Sequence, residues 1–170
     1  MNTPAESPVS PARTAMTVGA ITAALMLVAN AVGLQLLVWF VFVGGIYFGM
    51  KRYRTETGGC ISYFRALSAG IQTAFFASLI MAFTSYLAAT LEPSLIANTL
   101  DAVEQQLLAF DIPSTLAETA MQQWREILSP TVLAAIFIFM YNFFGLLLAM
   151  ICALFVQKDQ PLVTHETSNL

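Results

Sequence analysis

The residues of this chain that are best suited to chemistry form a basic segment around two adjacent glycines. The glycines permit a tight turn, and a helix that begins just after them presents free amides beside up to four basic side chains. Such a group suits a phosphate, so the segment predicts binding of an anionic headgroup. The alternative is that the charges only anchor the neighbouring membrane helices, as polytopic inner-membrane proteins require. The candidate residues are Lys51, Arg52, Arg54, Gly58, Gly59, Ser62 and Arg65.

The sequence gives little support for any other reactive site. The two cysteines, Cys60 and Cys152, form no CxxC or Cys/His grouping, and His165 stands alone in a polar tail. Serine and threonine residues lack the His/Asp partners that a nucleophile needs, and no glycine-rich nucleotide loop is present. We therefore predict no catalytic residue, no metal and no cofactor, and we expect that the protein is not an enzyme. The net charge of -3 also argues against nucleic acid as a partner.

Composition and hydropathy place the chain in a lipid bilayer. It is 58% hydrophobic and only 10% charged, whereas about a quarter of the residues are charged in soluble domains. Because the bilayer interior cannot hydrogen-bond exposed backbone, each apolar stretch should be a helix, and these continuous runs do not fit the short alternating strands of a barrel. The predicted fold is an all-α membrane domain over 14–157 with four transmembrane helices, at about 14–29, 34–50, 61–91 and 131–156.

The positive charges predict the orientation of these spans. Arg13 precedes the first span, the basic segment lies between the second and third, and Lys158 follows the fourth, whereas Arg125 alone falls on the other side. The positive-inside rule then puts both termini in the cytoplasm. We expect a multi-pass inner-membrane protein whose ends, 1–13 and 158–170, are mobile cytoplasmic segments.

An alternative for the N-terminus is a cleaved signal peptide. Arg13, the apolar run after it and Ala29-Asn30-Ala31 imitate a charged region, a hydrophobic core and a small-residue cleavage site. The proline-rich leader with Glu6 favours a retained first span, and the orientation of the later spans is the same in either case. Cleavage within residues 1–31 stays open from the sequence.

The segment 92–129, between the third and fourth spans, differs from the spans because it is acidic and amphipathic. Apolar residues recur at helical spacing in two stretches separated by Asp111-Ile112-Pro113. We predict an extracytoplasmic helical hairpin whose apolar stripes pack against the outer ends of the spans. The alternatives are a docking face for a partner protein and a lid over a site between the spans. Direct attraction to anionic lipid is not expected, because helices that bind it are rich in Lys and Arg.

Small and amide side chains within the spans predict helix contacts. Gly45 and Gly49 have GxxxG spacing, and Gly70 and Gly145 add small surfaces that favour close packing within the bundle or a homo-oligomer. Asn142 lies mid-span, where an amide usually bonds a neighbouring helix. The alternative for Asn142 is that it lines a polar pathway.

The middle of the chain resembles a known family. Its pattern of Tyr53-Arg54, a short polar gap, Gly58-Gly59, then Ile61-Ser62-Tyr63-Phe64-Arg65-Ala66 and Gly70 is similar to the domain-of-unknown-function 4199 family. The resemblance covers most of 14–157 and extends to the four spans, Pro93 after the third span and the polar helical insert. It implies a small bacterial membrane protein but supplies no activity.

Two functions from different classes remain open at this stage. The leading one is a non-enzymatic accessory or scaffold subunit of the bacterial envelope, or a homo-oligomer. Such a protein lies in the lipid bilayer and associates with its partner through the glycine faces or through the 92–129 hairpin. The near-absence of charge inside the spans motivates it, since Arg65, near the start of the third span, is the exception. The alternative is a carrier or flippase-like protein that reads the headgroup of an anionic or lipid-linked molecule with the basic segment. A membrane-embedded enzyme is favoured least, because the spans contain no general base.

Overall fold

A computed structural model describes residues 10–110 and 114–157, apart from the side chains of Leu108 and Ser114. Predictions that concern 1–9, 111–113 and 158–170, including those on Lys158 and His165, lie outside the described residues. Within the described ranges the chain forms six α-helices. They are α1 (Pro11–Ala31), α2 (Gln35–Glu56), α3 (Tyr63–Leu91), α4 (Ser94–Ala109), α5 (Ser114–Ile127) and α6 (Pro130–Val156).

Four of these helices are long and apolar enough to cross a membrane. The hydrocarbon core of a bilayer needs about 20 residues of helix, and α1, α2, α3 and α6 have 21, 22, 29 and 27 residues. The protein is therefore an all-α, multi-pass membrane protein with four transmembrane helices, which confirms the predicted fold class.

The second transmembrane helix continues beyond its apolar part. The predicted span ends at Met50, but α2 extends to Glu56 and includes Lys51, Arg52 and Arg54. Lysine, arginine and glutamate are good helix formers, and the Arg52–Glu56 pair has the i, i+4 spacing that stabilises a helix. The basic residues therefore lie on a rigid element and not in a flexible loop.

The start of α6 agrees with its sequence signal. Pro130 is the first helical residue, and the Ser129 hydroxyl accepts a hydrogen bond from the Val132 amide at 3.3 Å. Serine supplies a side-chain acceptor to an amide that lacks an intrahelical partner, and proline has no amide to leave unpaired. Ser129 therefore caps the N-terminus of α6.

The chain divides into two compact units. Among the described residues, one contains 10–77 together with 143–157, and the other contains those of Ser78–Asn142. The first unit thus holds α1, α2, the first half of α3 and the second half of α6, and the second unit holds the remaining halves with α4 and α5.

Close helix contacts in the first unit depend on small residues. Gly19 of α1 is buried, and a Cβ atom added to it would lie 2.9 Å from the carbonyl oxygen of Thr73 and 3.2 Å from the amide nitrogen of Ala77. Only glycine lets α1 approach the backbone of α3 this closely. No GxxxG spacing marks Gly19 in the sequence, because no glycine lies four residues before or after it.

The glycines predicted to mediate helix packing are used inside the same unit. Gly45 contacts Thr22 of α1, and Gly49 would bring an added Cβ within 2.5 Å of the Thr73 hydroxyl of α3. Gly70 contacts Met50, and Gly145 contacts the side chain of Ala74. These small surfaces face helices of the same chain.

Asn142 makes the interhelical bond that its position suggests. Its side-chain amide donates to the Ser78 hydroxyl at 2.8 Å and to the Ile138 carbonyl at 2.8 Å. Ser78 is fully buried, so the bond links α6 to α3 within the second unit. This geometry is that of an amide that packs one helix against another.

The bond between Asn142 and Ser78 should contribute a coupling energy of about 0.6 kcal/mol to the free energy of unfolding, and at most about 1.7 kcal/mol, when Asn142 is replaced with leucine. Equilibrium unfolding in mixed micelles would measure it, in a double-mutant cycle with Ser78→Ala. Thr84→Val is the matched control, because the Thr84 hydroxyl bonds only the Ile80 carbonyl of its own helix. Purely additive effects of Asn142→Leu and Ser78→Ala would contradict the assignment.

The insert between α3 and α6 contains two helices that contact each other. Arg125 of α5 lies 3.8 Å from Glu104 of α4, and α5 buries Ala117 and Met121. The rest of the apolar stripe of α5 is exposed, with Leu116, Trp124 and Ile127 at 61%, 41% and 59%. The spacing of the apolar residues thus correctly predicts a helix, but only the edge of its apolar face that contains Ala117 and Met121 is buried.

Candidate anion-binding site

The basic residues predicted to bind an anion do not converge on one point. Lys51, Arg52 and Arg54 lie on the last two turns of α2, where each successive side chain is rotated by about 100° around the axis. Lys51 is exposed on this helix, and Arg65 is exposed on the first turn of α3. The structure separates these residues into different roles.

Gly58 and Gly59 end α2 and reverse the chain. The Gly59 amide donates to the Arg54 carbonyl at 2.9 Å, and the Gly58 amide donates to the Thr55 carbonyl at 3.3 Å. This pair of bonds is the Schellman motif, which requires a left-handed residue just past the helix. Both glycines have that conformation, with φ of 88° and 87°. The glycine pair is therefore a helix cap and not a phosphate loop.

Arg54 joins the ends of two helices. Its Nε donates to the Gly59 carbonyl at 2.9 Å, and its Nη1 donates to the Val156 carbonyl at 3.1 Å. Val156 is the last residue of α6, so its carbonyl has no partner within the helix, and a cation is favourable beside a helix C-terminus. Two of the five donors of the guanidinium are thus used by backbone oxygens, which fix Arg54 at this corner.

The residues just after the glycines place the start of α3. Ser62 directly precedes that helix, and its carbonyl accepts the Ala66 amide at 3.0 Å. The Ser62 side chain is exposed, whereas Ile61 and Tyr53 are buried on either side of the turn. This corner between α2 and α3 is a packed structural element.

A cavity lies instead between the first turns of α1 and the last turns of α2. It has a volume of about 340 Å³ and contains Arg52, the one predicted headgroup residue that lines it. Two arginines and one glutamate give the lining a net positive charge. The lining residues are Arg13, Thr14, Thr17, Arg52 and Glu56.

Glu56 fixes the geometry of this cavity. One carboxylate oxygen accepts the Thr14 hydroxyl of α1, and the other accepts Arg52 Nε at 3.0 Å. Glu56 lies in the polar last turn of α2, beyond the apolar segment, and the Thr14 bond is the main cause of its lowered pKa, to which Arg52 and Arg13 add. The carboxylate is therefore ionised at neutral pH and holds Arg52 in place.

Hydrogen-bond donors of Arg13 and Arg52 remain unused in the lining of the cavity. Glu56 uses only the Nε of Arg52, so the two Nη groups of that guanidinium remain available. Arg13 forms no ion pair with another residue in the described part of the chain. The N-terminus of α1 favours negative charge in the cavity, whereas the C-terminus of α2 opposes it, so the guanidinium groups supply the attraction for an anion. Guanidinium groups are the side chains whose donor geometry matches phosphate, and two of them line this cavity.

Sequence reasoning found Arg52 but missed its partners. Arg13, Thr14 and Thr17 lie about forty positions earlier, and only the antiparallel packing of α1 on α2 brings them to Glu56. One signal was present, because Arg52 and Glu56 have the spacing of a helical ion pair. That spacing shows a helix, but it does not show which other helix faces it.

Two further features complete the description of possible sites. Within residues 10–110 and 114–157, no group of three or more His, Cys, Asp or Glu side chains could hold a metal ion. A second cavity of about 520 Å³ lies at the turn between α1 and α2, beside Leu34 and Phe40, and its lining is largely apolar. It offers no charged group to a ligand.

Comparison with known proteins places the chain in a family. The family model described as a protein of unknown function, DUF4199, matches residues 13–158. The chain belongs to the DUF4199 family. No curated protein and no solved structure matches this DUF4199 protein.

The motif that carries the family resemblance builds the corner between α2 and α3. Arg54 bonds the Gly59 and Val156 carbonyls, Gly58 and Gly59 cap α2, and Ile61 is buried. Gly70 then packs α3 against Met50 and Ala149. In this DUF4199 protein the motif thus has a structural explanation, and the cavity at Arg13 and Arg52 is a separate feature within the matched region.

Proposed function

We propose that this protein binds the phosphate-bearing headgroup of an anionic amphipathic molecule in the cavity between α1 and α2. The protein would then be a non-enzymatic, carrier-like protein that recognises its ligand at one surface of the membrane. The cavity lined by Arg13 and Arg52 carries the proposal, because two guanidinium groups there face a space large enough for a phosphate.

The charges around the cavity support this function. Lys51 and Arg65 are exposed and add positive potential near the same ends of the helices, although neither lines the cavity. We place the protein in the bacterial inner membrane with both termini cytoplasmic, because six of its seven Lys and Arg residues fall on that side. Anionic lipids give the cytoplasmic leaflet a negative surface, so a basic rim meets its ligand there.

Native mass spectrometry of the full-length protein in mild detergent would test the proposal. Phosphatidylglycerol and phosphatidylcholine would be titrated against the wild type and the double variant Arg13→Gln/Arg52→Gln. We expect the wild type to prefer phosphatidylglycerol and the variant to bind it about tenfold more weakly, since two charge-assisted hydrogen-bond donors to phosphate are lost.

The matched control is Lys51→Gln/Arg65→Gln, which removes the same amount of charge from residues outside the cavity. It should retain most of the preference. Stabilisation of the wild type by inorganic phosphate, with no lipid preference, would identify a soluble phosphate compound as the ligand. Equal loss in both double variants would show a general charge effect and would sink the proposal.

The accessory-subunit function is supported by one feature only. The glycine faces contact helices of the same chain, so they supply no free surface for a partner. The exposed apolar stripe of α5 is the remaining argument for association. What covers that stripe is a separate question from the anion site.

A further inference from the structure

Helix α5 carries an apolar surface that the protein itself does not cover. Leu116, Trp124 and Ile127 recur at helical spacing and are exposed at 61%, 41% and 59%. Their neighbours Ala117 and Met121 are buried, so the exposed stripe is one edge of a wider apolar face. The opposite face is polar, with Glu118, Gln122 and Glu126 exposed.

Short connections hold this helix close to the bilayer. α5 ends at Ile127 and the transmembrane helix α6 begins at Pro130, so two residues separate them. Three extended steps reach at most about 11 Å, so the end of α5 stays within about 11 Å of the start of α6, whereas the interfacial layer of a membrane is about 5–8 Å thick on each face. The connection at the other end of the insert is equally short, because α3 ends at Leu91 and α4 begins at Ser94.

The hydrogen bonds at these connections restrict the insert further. The Leu128 amide donates to the Trp124 carbonyl at 2.8 Å, and the Leu133 amide donates to the Ser129 carbonyl at 2.9 Å. The chain therefore passes from α5 into α6 with helical bonds on both sides of the link. No charged residue follows Glu126 before the end of α6, so the apolar surface is continuous in sequence from Ile127 into the span.

We propose that α5 lies in the membrane interface and buries Leu116, Trp124 and Ile127 among the headgroups and upper acyl chains. Tryptophan favours this layer because its ring is apolar and its indole N–H can bond water or headgroups. The acidic polar face makes electrostatic attraction to anionic lipid weak, so apolar burial drives insertion into a neutral lipid surface. This property is independent of the anion site between α1 and α2.

Tryptophan fluorescence can test the position of α5 directly. The chain has two tryptophans, Trp39 and Trp124. The Trp39→Phe protein, or Trp39→Tyr if the first does not fold, would be reconstituted into phosphatidylcholine vesicles with Trp124 as its only tryptophan, and the tryptophan would be excited selectively near its red edge. Quenching would be measured with aqueous iodide and with phosphatidylcholines brominated at shallow or deep acyl positions.

The control is a tryptophan on the polar face of the same helix, Gln122→Trp in a protein with Trp39→Phe and Trp124→Phe. We expect strong quenching of Trp124 by shallow bromines and iodide quenching that is on the order of threefold weaker than for the control. Equal iodide quenching at both positions would place the stripe in water. Trp124 could also be protected from both iodide and bromines. If that protection were lost on raising the lipid-to-protein ratio, a second copy of the protein would be what covers the stripe. Either result would overturn the proposal.

Discussion

Replacing Gly19 with leucine should lower the free energy of unfolding by about 3 kcal/mol or more, at the upper end of what overpacking costs. The added side chain would meet the backbone of α3, where the Thr73 carbonyl oxygen lies 2.9 Å from the position of a Cβ atom. Backbone atoms in a packed helix cannot move aside as the end of a flexible side chain can. The helices would separate, and the contacts of α1 with α3 would weaken.

The control for this prediction is Gly44→Leu. Gly44 is exposed on α2, and nothing lies within 4 Å of a Cβ atom placed on it. Leucine there gains helix propensity of roughly 0.8 kcal/mol over glycine and faces lipid. Thermal unfolding in detergent should therefore rank Gly19→Leu well below the wild type and Gly44→Leu at or above it. Similar midpoints for the two variants would contradict the close approach of α1 to α3.

Replacing Arg54 with glutamine should lower the free energy of unfolding by about 1–3 kcal/mol, because two charge-assisted hydrogen bonds are lost. The Val156 carbonyl would lose its donor, so the last turn of α6 should fray. Hydrogen exchange at the amides of the last turn of α6 and Gln157 would report this local change. Arg54→Lys should show an intermediate loss, since an ammonium cannot reproduce the fork that reaches two carbonyls.

Arg52→Gln is the matched control for the Arg54 prediction. Arg52 is two positions away on the same helix, but its ion pair with Glu56 is solvent-exposed and contributes only about 0.3–0.5 kcal/mol. Its replacement should leave hydrogen exchange at the end of α6 unchanged. If both variants accelerated that exchange equally, the link from Arg54 to α6 would be wrong.

The sequence was a good guide wherever the signal is local. The four spans follow from continuous hydropathy, the start of α6 follows from Ser129 and Pro130, and the bond of Asn142 follows from an amide in an apolar helix. Each of these depends on a few neighbouring residues and on the properties of the bilayer. The full length of α2 was also readable, because Arg52 and Glu56 are a helical pair and Gly58 is a helix-ending residue.

Features that depend on contacts between distant segments were not accessible in the same way. Arg13 acts electrostatically on Glu56 only because α1 packs on α2. Arg54 bonds the Val156 carbonyl, which lies more than a hundred positions later in the sequence. The basic residues Lys51, Arg52 and Arg54 are close together in the sequence, which suggested one site. Because they lie on helix α2, their side chains project from different sides of it. In α5 the periodicity identified the apolar face, while the division of that face into a buried edge and an exposed edge depends on where α4 lies.

The most direct test of the anion site is to locate bound lipid on the protein. The full-length wild type would be reconstituted with a photoactivatable phosphatidic acid whose reactive group lies beside the headgroup, and cross-linked peptides would be mapped by mass spectrometry. We predict adducts concentrated in the first two turns of α1 and the last two turns of α2, removed by excess phosphatidylglycerol and not by phosphatidylcholine. Adducts spread evenly along the lipid-facing helices, and unaffected by Arg13→Gln/Arg52→Gln, would contradict the site.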